Sequence, residues 1–380
     1  MIVKERDNIV WVDLLRIIAC FLVVLSHCCD PFVAHFNSDY SKFLQGCGMG
    51  SAVRCCVPLF VMMSGVLLLP VKTTMGEFYG KRFKRLLVPL IFWSLALPVI
   101  YYLYFLLVGA TSSPSVDMSM YSADMTIRKL STFIFNFNYD TTPLWYLYML
   151  AGLYLIIPIF SSWLQNATQK EMKLFLKIWL FTLFIPYIKM FAPLLGYMGN
   201  YGHMGLFGEC DWNSYSSFYY VSGFIGYIVL AHYLVKYPLN WSWRKLALIG
   251  IPMWLVGYAI TFGGFVMMNE QFPGNYAYLE ILWWFCGINV FLMTFPIFVA
   301  IQKVKIKSSP RLSKVASMTF GIYLCHFVFV QMGYDLYLNI LPDAVPAFVR
   351  IILNAVTVFV VCYGLVRLFS LNRFTRRLVA

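Results

Sequence analysis

An arginine and a histidine, Arg16 and His27, stand eleven residues apart in Asp13-Leu-Leu-Arg-Ile-Ile-Ala-Cys-Phe-Leu-Val-Val-Leu-Ser-His27, a stretch that otherwise reads as lipid-soluble helix. At about 100° per residue this separation is just over three turns, so both side chains share one helix face, roughly 16 Å apart along the axis. Ionisable groups at membrane depth are costly and normally face a bundle interior or a wet cavity, which makes this stripe the first place to look for chemistry. A neutral imidazole at His27 can take a proton from a hydroxyl; the plainer reading is a histidine hydrogen-bonded to a neighbouring helix. Asp13 and Arg16, three apart, can form an intrahelical pair that is ordinarily structural, with guanidinium donors to spare for an acyl or phosphate oxygen. Pro31 disfavours helix at Asp30, so the helix is expected to loosen just past His27 and to line a cavity there.

Other residues invite a functional and a bland reading in the same way. Lys81-Arg82-Phe-Lys84-Arg85 is the expected basic flank of a membrane helix. Arg82 and Arg85 nevertheless share a face, and guanidinium forks suit phosphates, so a phosphate-rich cytosolic ligand would dock there. Ser64-Gly65 offers a small pair for close helix packing, with Ser64 a distant candidate for chemistry. Arg54, in the second apolar span, is expected at a depth similar to His27 and needs a carboxylate or a substrate, Glu280 at the end of the eighth span being one partner. Trp145 and Tyr148 open the fourth span as an aromatic belt or a sugar platform, the belt being preferred. His326, in Gly321-Ile-Tyr-Leu-Cys-His326, reads as a packing or gating residue.

These residues must be held by membrane helices. With 61% hydrophobic and only 12% charged residues, the chain lies far outside the range of a soluble domain. Spans of about 20 apolar residues fall near 10–30, 49–69, 86–108, 143–164, 173–194, 215–235, 246–267, 279–301, 315–338 and 347–369, predicting an all-α bundle of ten transmembrane helices. Twenty-two of the 29 Lys and Arg residues sit at the two ends or in alternate connections, whereas the other connections hold only Lys42, Arg128 and Lys129. The positive-inside rule then places both termini in the cytoplasm. The net charge of +13 is accounted for by membrane headgroups and an anionic ligand, with no basic-aromatic surface for nucleic acid.

The whole chain, 1–380, reads as a single membrane domain without an added soluble one, and its first apolar segment as an uncleaved helix. None of the ten cysteines forms a C-x-x-C pair, which argues against a zinc site, and no metal is expected. Cys28 or Cys29 can pair with Cys47 across a short loop. The connection at about 109–142, with Thr111-Ser-Ser-Pro-Ser115 and an interfacial helix near 125–137, and the one at about 195–214, with His203, Glu209 and Asp211, are expected to cover an outward-facing mouth.

Five motifs in order, Arg16-x10-His27, Phe60-Val-Met-Met-Ser-Gly65, Arg82-x2-Arg85, Leu144-Trp-Tyr-Leu-Tyr148 with Tyr154-Leu-Ile-Ile-Pro158, and Gly321-Ile-Tyr-Leu-Cys-His326, together resemble the acyltransferase 3 family of integral membrane acyltransferases. The resemblance implies transfer of acetyl or another short acyl group from cytosolic acetyl-CoA or acyl-CoA to a hydroxyl of a surface saccharide or its lipid-linked precursor. It implies His27 as the essential first-helix histidine, Arg16 as its partner, and Arg82 and Arg85 as acyl-CoA contacts. It also implies a bacterial cytoplasmic membrane, membrane lipids as surroundings and envelope-assembly proteins as partners. The hydrolase-like domain some members append is absent from the sequence, so transfer is expected within the membrane core or with a separate partner. The competing readings are a transporter or flippase using the same polar stripe, and a scaffold for envelope assembly.

Overall fold

Hydrocarbon offers no partner to a backbone N–H or C=O, so a chain this apolar folds as helices that satisfy their own backbone. The structure, a computed structural model, describes residues 10–135, 138–196, 205–209, 215–273 and 276–379. Among them, ten helical stretches are long and apolar enough to cross a membrane, and the protein is an all-helical, multi-pass integral membrane protein. The chain divides into two units, the first comprising residues 1–53, 73–156 and 304–380, the second residues 54–72 and 157–303.

The first unit holds α1 (Val10–Val33), α2 (Tyr40–Ala52), α4 (Met75–Val108), α5 (Ala123–Thr132), the start of α6 (Trp145–Asn166), α13 (Pro310–Ile340), α14 (Ala347–Phe369) and α15 (Arg373–Arg376). Its centre is the parallel pair α1 and α13. Ser313 Oγ donates to Asp13 Oδ2 at 2.7 Å, Cys20 Sγ donates to the Thr319 carbonyl at 3.4 Å, and the rings of His27 and His326 lie 5.2 Å apart. Just beyond α1, His35 Nε2 meets Tyr334 Oη at 3.0 Å. Polar pairs therefore recur about every seven residues along the seam. Gly46 lets α2 close on α1, since a Cβ there would stand 2.8 Å from Phe32 Cβ and 2.9 Å from the Val33 nitrogen. A capping box of Thr74 and Glu77 fixes where α4 starts, and with it the faces of Arg82 and Arg85.

The second unit holds α3 (Cys56–Leu68), the rest of α6, α7 (Gln169–Thr182), α8 (Ile185–Phe191), α9 (Ile225–Lys236), α10 (Trp243–Gln271), α11 (Tyr276–Trp283) and α12 (Ile288–Lys303). Here Gly65 packs α3 on α9, a Cβ in its place lying 2.6 Å from the Ile228 carbonyl oxygen. Apolar side chains such as Leu248, Ile251 and Leu255 on α10, and Ile352, Val356 and Val360 on α14 in the first unit, are exposed, as lipid-facing positions should be.

Three expectations need correction. α1 does not loosen after His27 but runs through Pro31 to Val33. Proline removes only the N–H that would reach the His27 carbonyl, and the tight packing on α2 and α13 keeps the remaining ladder helical. The second span is broken, because α2 ends at Ala52 and α3 starts at Cys56, leaving Arg54 in the turn between them. Cys28, Cys29 and Cys47 form no disulfide with one another, with Cys29 Sγ turned back to the Leu25 carbonyl at 3.2 Å and Cys47 Sγ facing Ser51 on its own helix. The helix expected near 125–137 is present as α5, followed by a 3-10 turn at Phe133–Phe135.

Arg350 has a structural task. Only 4% exposed, it donates to the carbonyls of Tyr337 (2.7 Å), Leu341 (3.3 Å), Pro342 (2.6 Å) and Val345 (3.2 Å), closing the carboxyl end of α13. Arg350→Leu should leave these carbonyls bare and cost about 2–4 kcal/mol, read as a lower thermal-unfolding midpoint in detergent. An unchanged midpoint would mean that water serves those groups equally well.

Candidate active site

The functional side chains proposed from sequence on α1, α4, α6 and α13 fall in the first unit, where they form two polar stations. The first lies toward the amino-terminal ends of α1 and α4. Arg16 Nη1 donates to Asp13 Oδ1 at 3.3 Å, and Asp13 is steadied from the far side by Ser313. Among the described residues that bond occupies one of the five N–H donors of Arg16. Arg85 lies within electrostatic reach of Arg16, and both Arg82 and Arg85 lie within reach of the Tyr154 hydroxyl. Phe78, Tyr79, Phe83 and Tyr154 pack edge to face beneath the two α4 arginines, with the Arg82 guanidinium 5.6 Å from the Phe78 ring centre. Three guanidinium groups thus gather at one end of the unit, a setting for a polyanion.

The second station is His27. Its Nδ1 lies 2.8 Å from Asp30 Oδ2, one helical turn on. A carboxylate only accepts, so Nδ1 carries the hydrogen, and in the neutral imidazole Nε2 presents its lone pair. The ring rests on Phe327 at 5.1 Å and beside His326 at 5.2 Å. At 19% side-chain exposure, His27 is reachable, whereas His326 is sealed at 0%. His326 donates from Nδ1 to the Tyr323 carbonyl at 2.6 Å, and its Nε2 has no partner among the described residues. Two neighbouring imidazoles therefore share one tautomer.

A buried strap approaches this second station. Lys129 Nζ, on α5, binds Asp140 Oδ1 at 3.0 Å, with the two side chains 4% and 0% exposed, and the same ammonium sits 4.2 Å above the Tyr121 ring. The Tyr139 ring lies 5.2 Å from Phe327, and Ser115 Oγ donates to the Asp30 carbonyl at 3.4 Å. Tyr148 donates to the Ile134 carbonyl at 2.7 Å, so it anchors the strap. Trp145 packs on Tyr146, which in turn packs on Tyr323, one turn from His326.

The remaining candidates sit in the second unit. Ser64 Oγ donates back to the Phe60 carbonyl at 3.3 Å, and Gly65 beside it makes the close packing. The Arg54 guanidinium lies 3.7 Å over the Trp283 ring and 5.5 Å from that of Phe285, while Glu280 is exposed on α11. Glu209 pairs with Lys189; His203 and Asp211 lie outside the described residues. Among the described residues no three His, Cys, Asp or Glu side chains converge as a metal site.

Sequence reasoning missed Asp30, Tyr139 and the Lys129–Asp140 pair. Asp30 carried a usable signal, its three-residue spacing from His27, which favours contact on a helix face. The others are joined only by tertiary folding.

A family model described as an acyltransferase domain, acyltransferase 3, matches residues 9–367 of the chain. No curated protein and no solved structure matches it.

The hydrogen-bond pattern fixes a measurable property. In protein labelled with ¹⁵N-histidine, the neutral rings of both His27 and His326 should carry their hydrogen on Nδ1, which is the minor tautomer in water. Asp30→Asn should perturb His27 and leave His326 in place. A neutral His27 with its hydrogen on Nε2 would contradict the His27–Asp30 pair.

Proposed function

The chain belongs to the acyltransferase 3 family of membrane acyltransferases, and on that premise we propose that it moves an acetyl or similar short acyl group from cytosolic acyl-CoA to a hydroxyl of a cell-surface saccharide or its lipid-linked precursor. The observation that carries this reading is the separation, within one unit, of a guanidinium cluster (Arg16, Arg82, Arg85) from a reachable imidazole–carboxylate pair (His27, Asp30). The alternation of basic connections supports an orientation with both termini, the amino-terminal end of α1 and the Arg82–Arg85 face on the cytoplasmic side. The phosphates of the donor would then meet Arg82 and Arg85, and its thioester would lie along α1 toward His27.

In the transfer step His27 Nε2 takes the proton of the acceptor hydroxyl as the oxygen attacks the thioester carbon. The carbon–sulfur bond breaks, and the imidazolium returns the proton to the departing thiolate, giving ester and free thiol. Asp30 holds Nδ1–H throughout and offsets the charge of the imidazolium, as a carboxylate does in the serine-hydrolase arrangement. Arg16, at the first station with spare N–H donors, would hold an oxygen of the donor as it passes toward His27. In a variant of this scheme, Nε2 itself takes the acyl group and passes it on.

Two measurements test the proposal. His27→Ala should lower acyl-CoA-dependent labelling of envelope glycans by about 10²–10⁴-fold while the protein remains abundant; activity persisting in that variant removes the histidine from the mechanism. Purified protein should bind acetyl-CoA, and Arg82→Lys or Arg85→Lys should weaken binding about tenfold, because an ammonium cannot form the two-pronged phosphate contact. Unchanged binding would return both arginines to the role of orienting α4. Solute movement without turnover would favour a transporter.

A further inference from the structure

We infer that Ser113 and Gln331 form a hydroxyl-binding subsite for an uncharged sugar of the acceptor, an inference that rests on the transfer reading above and adds to it the substrate's charge class and two contacts.

The subsite is built around Thr111. Its hydroxyl donates to Asp335 Oδ1 at 2.5 Å and accepts from Gln331 Nε2 at 2.8 Å and from the Ser113 backbone N–H at 3.1 Å, so it has nothing left to offer. Gln331 Nε2 also donates to Asp335 Oδ2 at 2.9 Å, where Tyr104 Oη donates at 2.6 Å. With both amide hydrogens committed, one of them to a carboxylate that can only accept, the orientation of the Gln331 amide is fixed. Its carbonyl Oε1 must then face away from the network, and it has no hydrogen-bond partner among the described residues although Gln331 is only 2% exposed. The hydroxyl of Ser113, 4% exposed, is unpartnered in the same way.

Buried polar atoms are nearly always paired, so two unpaired ones, on residues whose N–H groups both bond the same threonine hydroxyl, mark a place where something else binds. One is a pure acceptor and the other both donor and acceptor. A sugar hydroxyl, which gives one hydrogen bond and takes others, is complementary to that pair.

Position links the subsite to the reacting groups. Ser115, two residues past Ser113, donates to the Asp30 carbonyl, and Asp30 holds His27. Tyr139 feels the charges of both Asp30 and Asp335, and it packs on Phe327, the ring against which His27 rests. The segment 111–115 thus spans from Asp335 to the dyad along one wall.

Charge selects among sugars. The surrounding carboxylates are Asp30, Asp335 and Asp140. The nearby described cations are already engaged, Lys129 by Asp140 and Arg350 by the α13 carbonyls. An acidic sugar would add a negative charge beside Asp30 and Asp335 with no guanidinium or ammonium to meet it. A neutral one brings only hydroxyls.

The test uses purified full-length protein in lipid nanodiscs, with methyl β-glycosides of glucose, galactose and N-acetylglucosamine as neutral probes and methyl β-glucuronide as the acidic one, their affinities read by saturation-transfer NMR. At least one neutral glycoside should bind, and the glucuronide more weakly. Ser113→Ala and Gln331→Met should each weaken neutral binding about threefold to tenfold. Ser113→Ala decides the matter, because it removes only an unpartnered oxygen and leaves the Asp335 network whole; its melting temperature serves as the check on folding. No binding of any neutral glycoside, equal binding of the glucuronide, or an unaffected Ser113→Ala overturns the subsite. Acetyl-CoA binding measured on the same samples keeps the two readings apart. Loss of acetyl-CoA binding with sugar binding intact counts against the transferase and spares the subsite, and the reverse result does the opposite.

Discussion

The register between α1 and α13 is the constraint on which the rest of the first unit depends. Asp13 meets Ser313, Cys20 meets Thr319 and His27 meets His326, and beyond the end of α1 His35 meets Tyr334, all at a nearly constant sequence offset. Two parallel helices that repeat every seven residues keep a single seam between them, as in a coiled coil. In lipid, where burial of apolar surface gives helices little reason to associate, such polar and small contacts fix register and rotation. A slip of one residue would carry His27 away from His326 and Phe327 and separate Asp13 from Ser313. The orientation of the imidazole therefore follows from contacts spread over the length of the helix.

That seam also sorts charge. The amino-terminal ends of α1 and α4 bring guanidinium groups together, while the carboxyl-terminal halves of α1 and α13 carry the carboxylates Asp30 and Asp335. Each carboxylate is matched locally, Asp30 by an imidazole N–H and Asp335 by two hydroxyls and an amide. On the proposed reading, a polyanionic donor and a neutral hydroxyl acceptor would bind at opposite ends of one helix pair, with a single face of α1 between them.

Much of this was legible in the sequence, and the remainder was not for identifiable reasons. Hydropathy gave the ten spans because backbone satisfaction in lipid leaves little alternative to helix. Three-residue spacing gave the Asp13–Arg16 pair and the common face of Arg82 and Arg85. The same spacing relates His27 to Asp30, but Pro31 beside it argues for a break in the helix and so hides the contact of the carboxylate. Spacing places Lys129 in an outer connection and says nothing of its burial, which depends on Asp140 reaching it once the strap has folded. Nothing local ties Thr111 to Gln331 and Asp335, more than two hundred residues on. The break at Val53–Cys55 is not legible because hydropathy measures apolarity and is blind to a turn within it.

The buried Lys129–Asp140 pair bears on the histidine indirectly. Asp140 holds Lys129 at 3.0 Å in a site that excludes water. An ion pair of this kind contributes little net stability, since desolvating two charges offsets most of their attraction. Its worth lies in what it ties together. The same ammonium sits 4.2 Å above the Tyr121 ring, which packs on Phe105 of α4, so the pair joins α5 and the turn at Asp140 to that helix. Tyr139, beside Asp140, packs on Phe327, the ring against which His27 rests. The aromatic wall beside the imidazole is thus held in part from the strap, outside the helices that carry the histidine.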